Sequence, residues 1–154
     1  MAGRGVEIAV MSIADILREN VDKWAVRPPA ATEEAIENLV RDAGVALPTD
    51  YLQFLRFANG GEGDLGVQPW YFQVWTAEDA IENNRSYNVP EFLPGFFGFG
   101  TNLGDELLAF DVRRRGESRV FMIPMIPMSE SDAVEIVPDF ETFAMVCGLP
   151  PPKP

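Results

Sequence analysis

The 154-residue sequence contains no histidine and only one cysteine, Cys147. Without histidine, neither a Ser-His-Asp nor a Cys-His arrangement can be built within the chain. The usual general base near neutral pH and the commonest metal ligand are absent too. A single cysteine excludes an intrachain disulfide and a cysteine-based zinc site. Cys147 follows the apolar run Phe143-Ala144-Met145-Val146 and reads as a small buried hydrophobe rather than a nucleophile. No run approaches the roughly 18 apolar residues a membrane span needs. The N-terminal stretch MAGRGVEIAVMSIADIL is interrupted by Glu7 and Asp15 and has no signal-peptide core, so the expected location is cytoplasmic. Basic residues are scarce as well: 12 Lys and Arg against 24 Asp and Glu give a formal net charge of −12. Such a surface repels nucleic-acid phosphates and anionic membranes, so neither is an expected partner. It favours basic partners, speeding their encounter more than tightening the final complex.

What is present points to a folded globule, with 47% hydrophobic and 11% aromatic residues. The length suits one domain. The expected organisation is a flexible lead-in at 1–10 (Met1 and Met11 are alternative starts), a single domain at 11–149, and a stiff Pro-rich tail at 150–154.

The central stretch is LPTDYLQFLRFANGGEG, from Leu47 to Gly63. Pro48 suits a first helical turn. Tyr51, Phe54, Leu55 and Ala58 recur at i, i+3, i+4 and i+7, one face of a helix. Asn59-Gly60-Gly61 then tolerates positive φ and predicts the helix stop. Before it, Ile13, Ile16, Leu17 and Val21 predict a first helix from about Ile8 to Trp24. A second is predicted from an N-cap at Thr32, with Ile36, Leu39, Val40 and Ala43 as its apolar stripe and Gly44 as its end. After Gly63 the pattern changes to strand. Trp70 to Trp75 is aromatic and β-branched, with Trp70, Phe72 and Val74 on one face. Thr76-Ala77-Glu78-Asp79 predicts a helix start and a helix to about Tyr87, followed by a loop over 89–95. Strands are expected at Phe96–Phe99, Glu106–Val112 and Arg119–Ile123, the last two as a hairpin, with a short strand at Glu135–Val137 and a closing helix from Asp139 to Gly148. Helices first, strands in close succession, then a helix define an α+β protein. The expected architecture is a single antiparallel sheet, with a mixed sheet as the alternative, and helices on one side.

Candidate chemistry is thin. Asp105, Glu106 and Asp111 form the nearest approach to a carboxylate cluster, but Glu106 and Asp111 are an odd number apart and point to opposite faces of a regular strand. Asp105 suits a turn, where Asp bonds neighbouring backbone N–H groups. The Gly-rich segment at 60–63 follows a helix rather than opening one, and Glu62 and Asp64 would repel phosphate. Arg113-Arg114-Arg115 with Arg119 reads as a solvated hairpin tip. No catalytic, cofactor-binding or metal-binding residue is therefore assigned. Between Asp50 and Asp111, ten acidic residues face only Arg56 and Arg85. Glu62, Asp64, Asp105 and Glu106, placed in loops and turns, together with Trp70, Tyr71 and Trp75, have the composition of an interface with aromatic anchors and an acidic rim.

Leu47-Pro48, Tyr51, Phe54-Leu55 and Asn59-Gly60-Gly61 resemble the signature of the SUKH superfamily, which includes the yeast cell-wall-synthesis regulator family, the Syd proteins and many bacterial immunity proteins. Phe96 to Asp111 is similar to its second block, a hydrophobic-Gly strand, a turn at Gly104-Asp105 and a strand ending in Phe110-Asp111. Val137 to Phe143, with Phe140 and Phe143, is similar to the closing segment, although Pro138-Asp139 replaces the usual Ser. The resemblance runs from about Thr32 to Leu149. It implies protein binding without catalysis. On that basis the expectation is an immunity protein that neutralises a toxin with a basic surface, such as a nuclease, and the alternative is a regulatory adaptor. A homodimer is a further expectation for assembly. The signature residues themselves are expected to be structural.

Overall fold

The computed structural model describes residues 11–153. The expected lead-in at 1–10 and the predicted start of the first helix near Ile8 lie outside the described residues. Helix α1 spans Ile13–Arg18, and the Ser12 hydroxyl accepts the Asp15 N–H at 3.1 Å, satisfying one of the orphan donors of a helix start. A 3-10 turn at Val21–Lys23 leads to Trp24. Helix α2 spans Glu33–Ala43, with Thr32 accepting the Ala35 N–H at 3.1 Å and Gly44 closing it at φ +71°. Its buried stripe is Ala35, Ile36 and Leu39. Val40, expected in that stripe, is exposed.

Helix α3, Thr49–Phe57, buries the expected Tyr51, Phe54 and Leu55, and Ala58 just beyond it is buried too. It stops differently from the expectation. Ala58 leaves in an extended conformation at φ −151°, with no left-handed cap. Gly60 (φ +90°) and Gly61 (φ +144°) instead shape the turn that follows. A Cβ on Gly60 would collide with the Val74 carbonyl oxygen, so the turn needs glycine for space as well as for φ.

The remaining elements are β1 (Gly61–Asp64), β2 (Tyr71–Val74), α4 (Ala77–Ser86), α5 (Val89–Phe92), β3 (Phe96–Thr101), β4 (Glu106–Asp111), β5 (Arg119–Pro124), β6 (Val134–Val137) and α6 (Phe140–Val146). The six strands lie in chain order, β1 to β6, and every adjacent pair is antiparallel. The α+β class and the antiparallel sheet follow the sequence expectation. Asp139 caps α6 by accepting the Thr142 N–H at 2.8 Å, the role left open by the missing serine.

Three further expectations change. Val89–Phe92 is a short helix rather than loop. Trp70 is not part of β2; it precedes the strand with φ +74°. Helices also do not keep to one side of the sheet. Every residue of β3 is buried, and so is β4 after Glu106, so alternation cannot expose one face. One face of these strands meets α3 and α6 through a cluster of rings: Tyr51, Phe99, Phe110, Phe140 and Phe143. Helices α4 and α5 contact β3 as well, and Gly98, on the opposite face, lies against Leu107, Asn84 and Trp75.

Strand β3 pairs with β2 only at Gln73↔Thr101 and Val74↔Gly100. Beyond that overlap, Asn84 of α4 substitutes for a strand. Its Oδ1 accepts the Gly98 N–H at 2.9 Å, and its Nδ2 donates to the Gly98 carbonyl at 2.8 Å. The free edge of β1 is closed by other segments. Glu62 exchanges backbone bonds with Val26, and Gly148 donates to the Asp64 carbonyl at 2.7 Å.

Candidate partner-binding surface

An antiparallel meander places alternate connections at opposite ends of the sheet. The β1–β2 connection (65–70), the β3–β4 turn (102–105) and the start of the β5–β6 connection at 125 share one end. The β4–β5 hairpin (112–118) occupies the other.

Of the seven residues expected at an interface, six lie toward the first end. Glu62 and Asp64 are in β1 rather than in loops. They share the outer face of the β1–β2 hairpin with Tyr71, whose hydroxyl donates to Glu62 Oε2 at 2.9 Å. Burial and this hydrogen bond, together with the Glu62 and Asp64 charges, raise the Tyr71 phenol above its ordinary value. Trp70 is 39% exposed at the hairpin tip. Asp105 and Glu106 sit at the β3–β4 turn. Asn102, not Asp105, holds that turn: its Oδ1 accepts the N–H groups of Gly104 at 2.8 Å and Glu106 at 3.1 Å. Asp105 is left exposed beside Glu106, whose carboxyl is pushed up by partial burial and by the Asp105 charge. Trp75 does not belong with them. It is 6% exposed and packs on Tyr87, with ring centroids 6.2 Å apart, so it is core rather than anchor.

Sequence reasoning missed two residues at this end. Leu103 is 54% exposed with φ +64°, and Ile126 is 92% exposed. The available signal was an apolar side chain inside turn composition, Asn-Leu-Gly and Pro-Met-Ile-Pro, where polar residues are the rule.

Apart from the exposed Asp105, the signature residues sit in the core, at helix ends and in turns. Tyr51, Leu55, Phe140 and Phe143 are core, while Leu47 and Pro48 lead into α3. Asn59 ties the exit of α3 to the start of α4, accepting the Ala77 N–H at 2.8 Å and donating to Glu78 at 3.1 Å. Gly61 lies under the Trp24 ring, and Gly104 shapes the β3–β4 turn.

Asp111, 3% exposed, faces away from Glu106 as expected. It accepts from Arg113 Nε at 3.0 Å and from Arg119 Nη2 at 2.8 Å. These hydrogen bonds, Arg113's first, hold its carboxyl below the ordinary 3.8. A depressed folded-state pKa contributes stability that is complete above the unfolded value and lost as pH falls through the folded one. Asp111→Asn should therefore cost about 1.5–3 kcal/mol at neutral pH. In urea titrations, the wild-type advantage should stay flat down to about pH 4 and shrink below it.

Two arrangements that could have signalled chemistry are absent or mixed. No group of three or more Cys, Asp or Glu side chains among the described residues is placed to hold a metal ion. At the hairpin end, a cleft of about 550 Å³ is lined by Leu47, Pro48, Asp50, Arg114, Arg115 and Glu117, among others. Arg113, Arg114 and Arg115 on its wall face Asp50 and Glu117, so its lining carries charges of both signs. No described helix is long and apolar enough to cross a membrane.

These observations define an α+β protein with a curled six-stranded antiparallel meander and an aromatic core, whose turns at one end carry exposed apolar and acidic side chains. The SMI1 / KNR4 family (SUKH-1) model matches residues 30–145, and the chain belongs to that family. No curated protein matches it.

Proposed function

We propose that this chain is a non-enzymatic protein-binding module, an immunity protein that neutralises a cognate bacterial toxin in the cytoplasm by stoichiometric binding. Membership of the SMI1 / KNR4 (SUKH-1) family carries the reading. The side-chain chemistry supports it. The chain has no histidine, and burial pushes the Cys147 thiol well above its ordinary value, leaving it protonated and unreactive. The net charge of −12 supports a basic partner and disfavours nucleic acid. A regulatory adaptor with no toxin is the second reading, favoured by the same family match.

Co-expression with the product of the adjacent gene tests this. The expected result is rescue of growth from a toxic neighbour, with an equimolar complex on size-exclusion chromatography. A harmless neighbour and a complex with cell-wall-synthesis machinery would transfer the reading to the adaptor. Rescue at well below equimolar levels, with the toxin chemically altered, would replace binding by catalysis.

A further inference from the structure

We propose that the turn end of the sheet is the docking surface, that Trp70, Leu103 and Ile126 are its apolar anchors, and that its partner presents an apolar recess rimmed by Lys and Arg. The inference rests on the protein-binding reading above and names the surface and the partner's chemistry.

The sheet register brings the anchors together. Gln73 pairs with Thr101 near the ends of their strands, so the segment that carries Trp70 into β2 and the turn that carries Leu103 out of β3 leave the sheet at the same end. Glu106 pairs with Pro124, and the Met125 N–H donates to the Asp105 carbonyl at 2.9 Å, so Ile126 follows directly after a residue tied to the β3–β4 turn. From β2 to β5 is three interstrand steps, a patch about 14 Å across. Large apolar side chains exposed together on turns, where polar residues are the rule, mark an interaction surface.

Charge selects the occupant. Asp64, Asp105 and Glu106 lie at the same end of the sheet as the anchors, while Arg113, Arg114 and Arg115 are on the hairpin at the far end. A basic partner meets complementary charge over the whole rim. A second copy docking through this face would set acidic rim against acidic rim, a repulsion that works against a homodimer here.

A phage-displayed library of random peptides, panned on the full chain at low salt, is the probe. Enriched peptides should combine Lys or Arg with aromatic or aliphatic residues. Trp70→Ser and Leu103→Ser should each weaken them by about 30-fold, the size of an anchor contact. Asp64→Lys with Asp105→Lys should abolish the salt dependence of binding. Arg114→Glu with Arg115→Glu, at the other end, should bind as wild type. All these positions are exposed, so unchanged melting temperatures confirm that the variants fold. Absence of enrichment, peptides without basic residues, or binding that survives Trp70→Ser would each overturn the proposal. So would a wild-type dimer that Trp70→Ser dissociates. The growth-rescue assay separates the two levels: rescue that persists in the anchor variants keeps the immunity reading and removes this surface, whereas peptide binding without rescue does the reverse.

Discussion

Phe140→Ala should cost about 3–5 kcal/mol of folding free energy, the range for deleting a buried phenyl ring. That is about a fifth or more of the roughly 5–15 kcal/mol that holds a domain folded. Phe140 is fully buried at the start of α6, with ring centroids 5.3–5.7 Å from those of Tyr51, Phe54, Phe99, Phe110 and Phe143. The cavity would open where α3 and α6 meet the sheet, among stiff aromatic rings packed on one another. Phe140→Leu, which keeps most of the volume, should lose less than half as much. Urea denaturation of both variants tests this, and equal losses would show that the ring cluster is not the organising contact.

The second large effect concerns one amide. Asn84→Ala removes the side chain that satisfies both backbone groups of Gly98 and leaves a donor and an acceptor buried without partners, at about 1–3 kcal/mol for each. Asn84→Asp keeps the shape and the acceptor for the Gly98 N–H but sets an anionic oxygen against the Gly98 carbonyl in a buried site. It should be at least as damaging at neutral pH and should recover as the pH is lowered, when the carboxyl can donate. Melting temperatures of the two variants between acid and neutral pH would decide. A loss in Asn84→Asp that does not depend on pH would remove this role for the amide.

Much of the fold was legible because local chemistry agrees with it. Thr32, Thr76 and Asp139 cap their helices, and Gly44 ends α2 with positive φ. The spacing of Tyr51, Phe54 and Leu55 gave the buried face of α3. Strand β1 was illegible because strand propensity is carried by side chains, and here the backbone does the packing. A Cβ on Gly61 would strike the Trp24 ring, and one on Gly63 would come within 3.1 Å of the Trp24 Cα. Trp70 matched the alternation of a strand, but its φ turns it out of the sheet. The role of Asn84 was not legible, since nothing local records that β2 stops short beside β3. The proposed surface was half legible. Acidic residues and Trp70 stood out by type, whereas Leu103 and Ile126 belong with them only through pairings across the sheet.

The way β1 is sealed bears on synthesis. Its outer side is held by Val26 near the start of the chain and by Cys147 and Gly148 near its end. While the chain is being made, that edge keeps the Asp64 carbonyl unmet until residues 147 and 148 have been added and have folded back. Nascent molecules thus carry a short template for pairing with one another, and truncations that stop before Cys147 should be prone to clump even though every strand is already present.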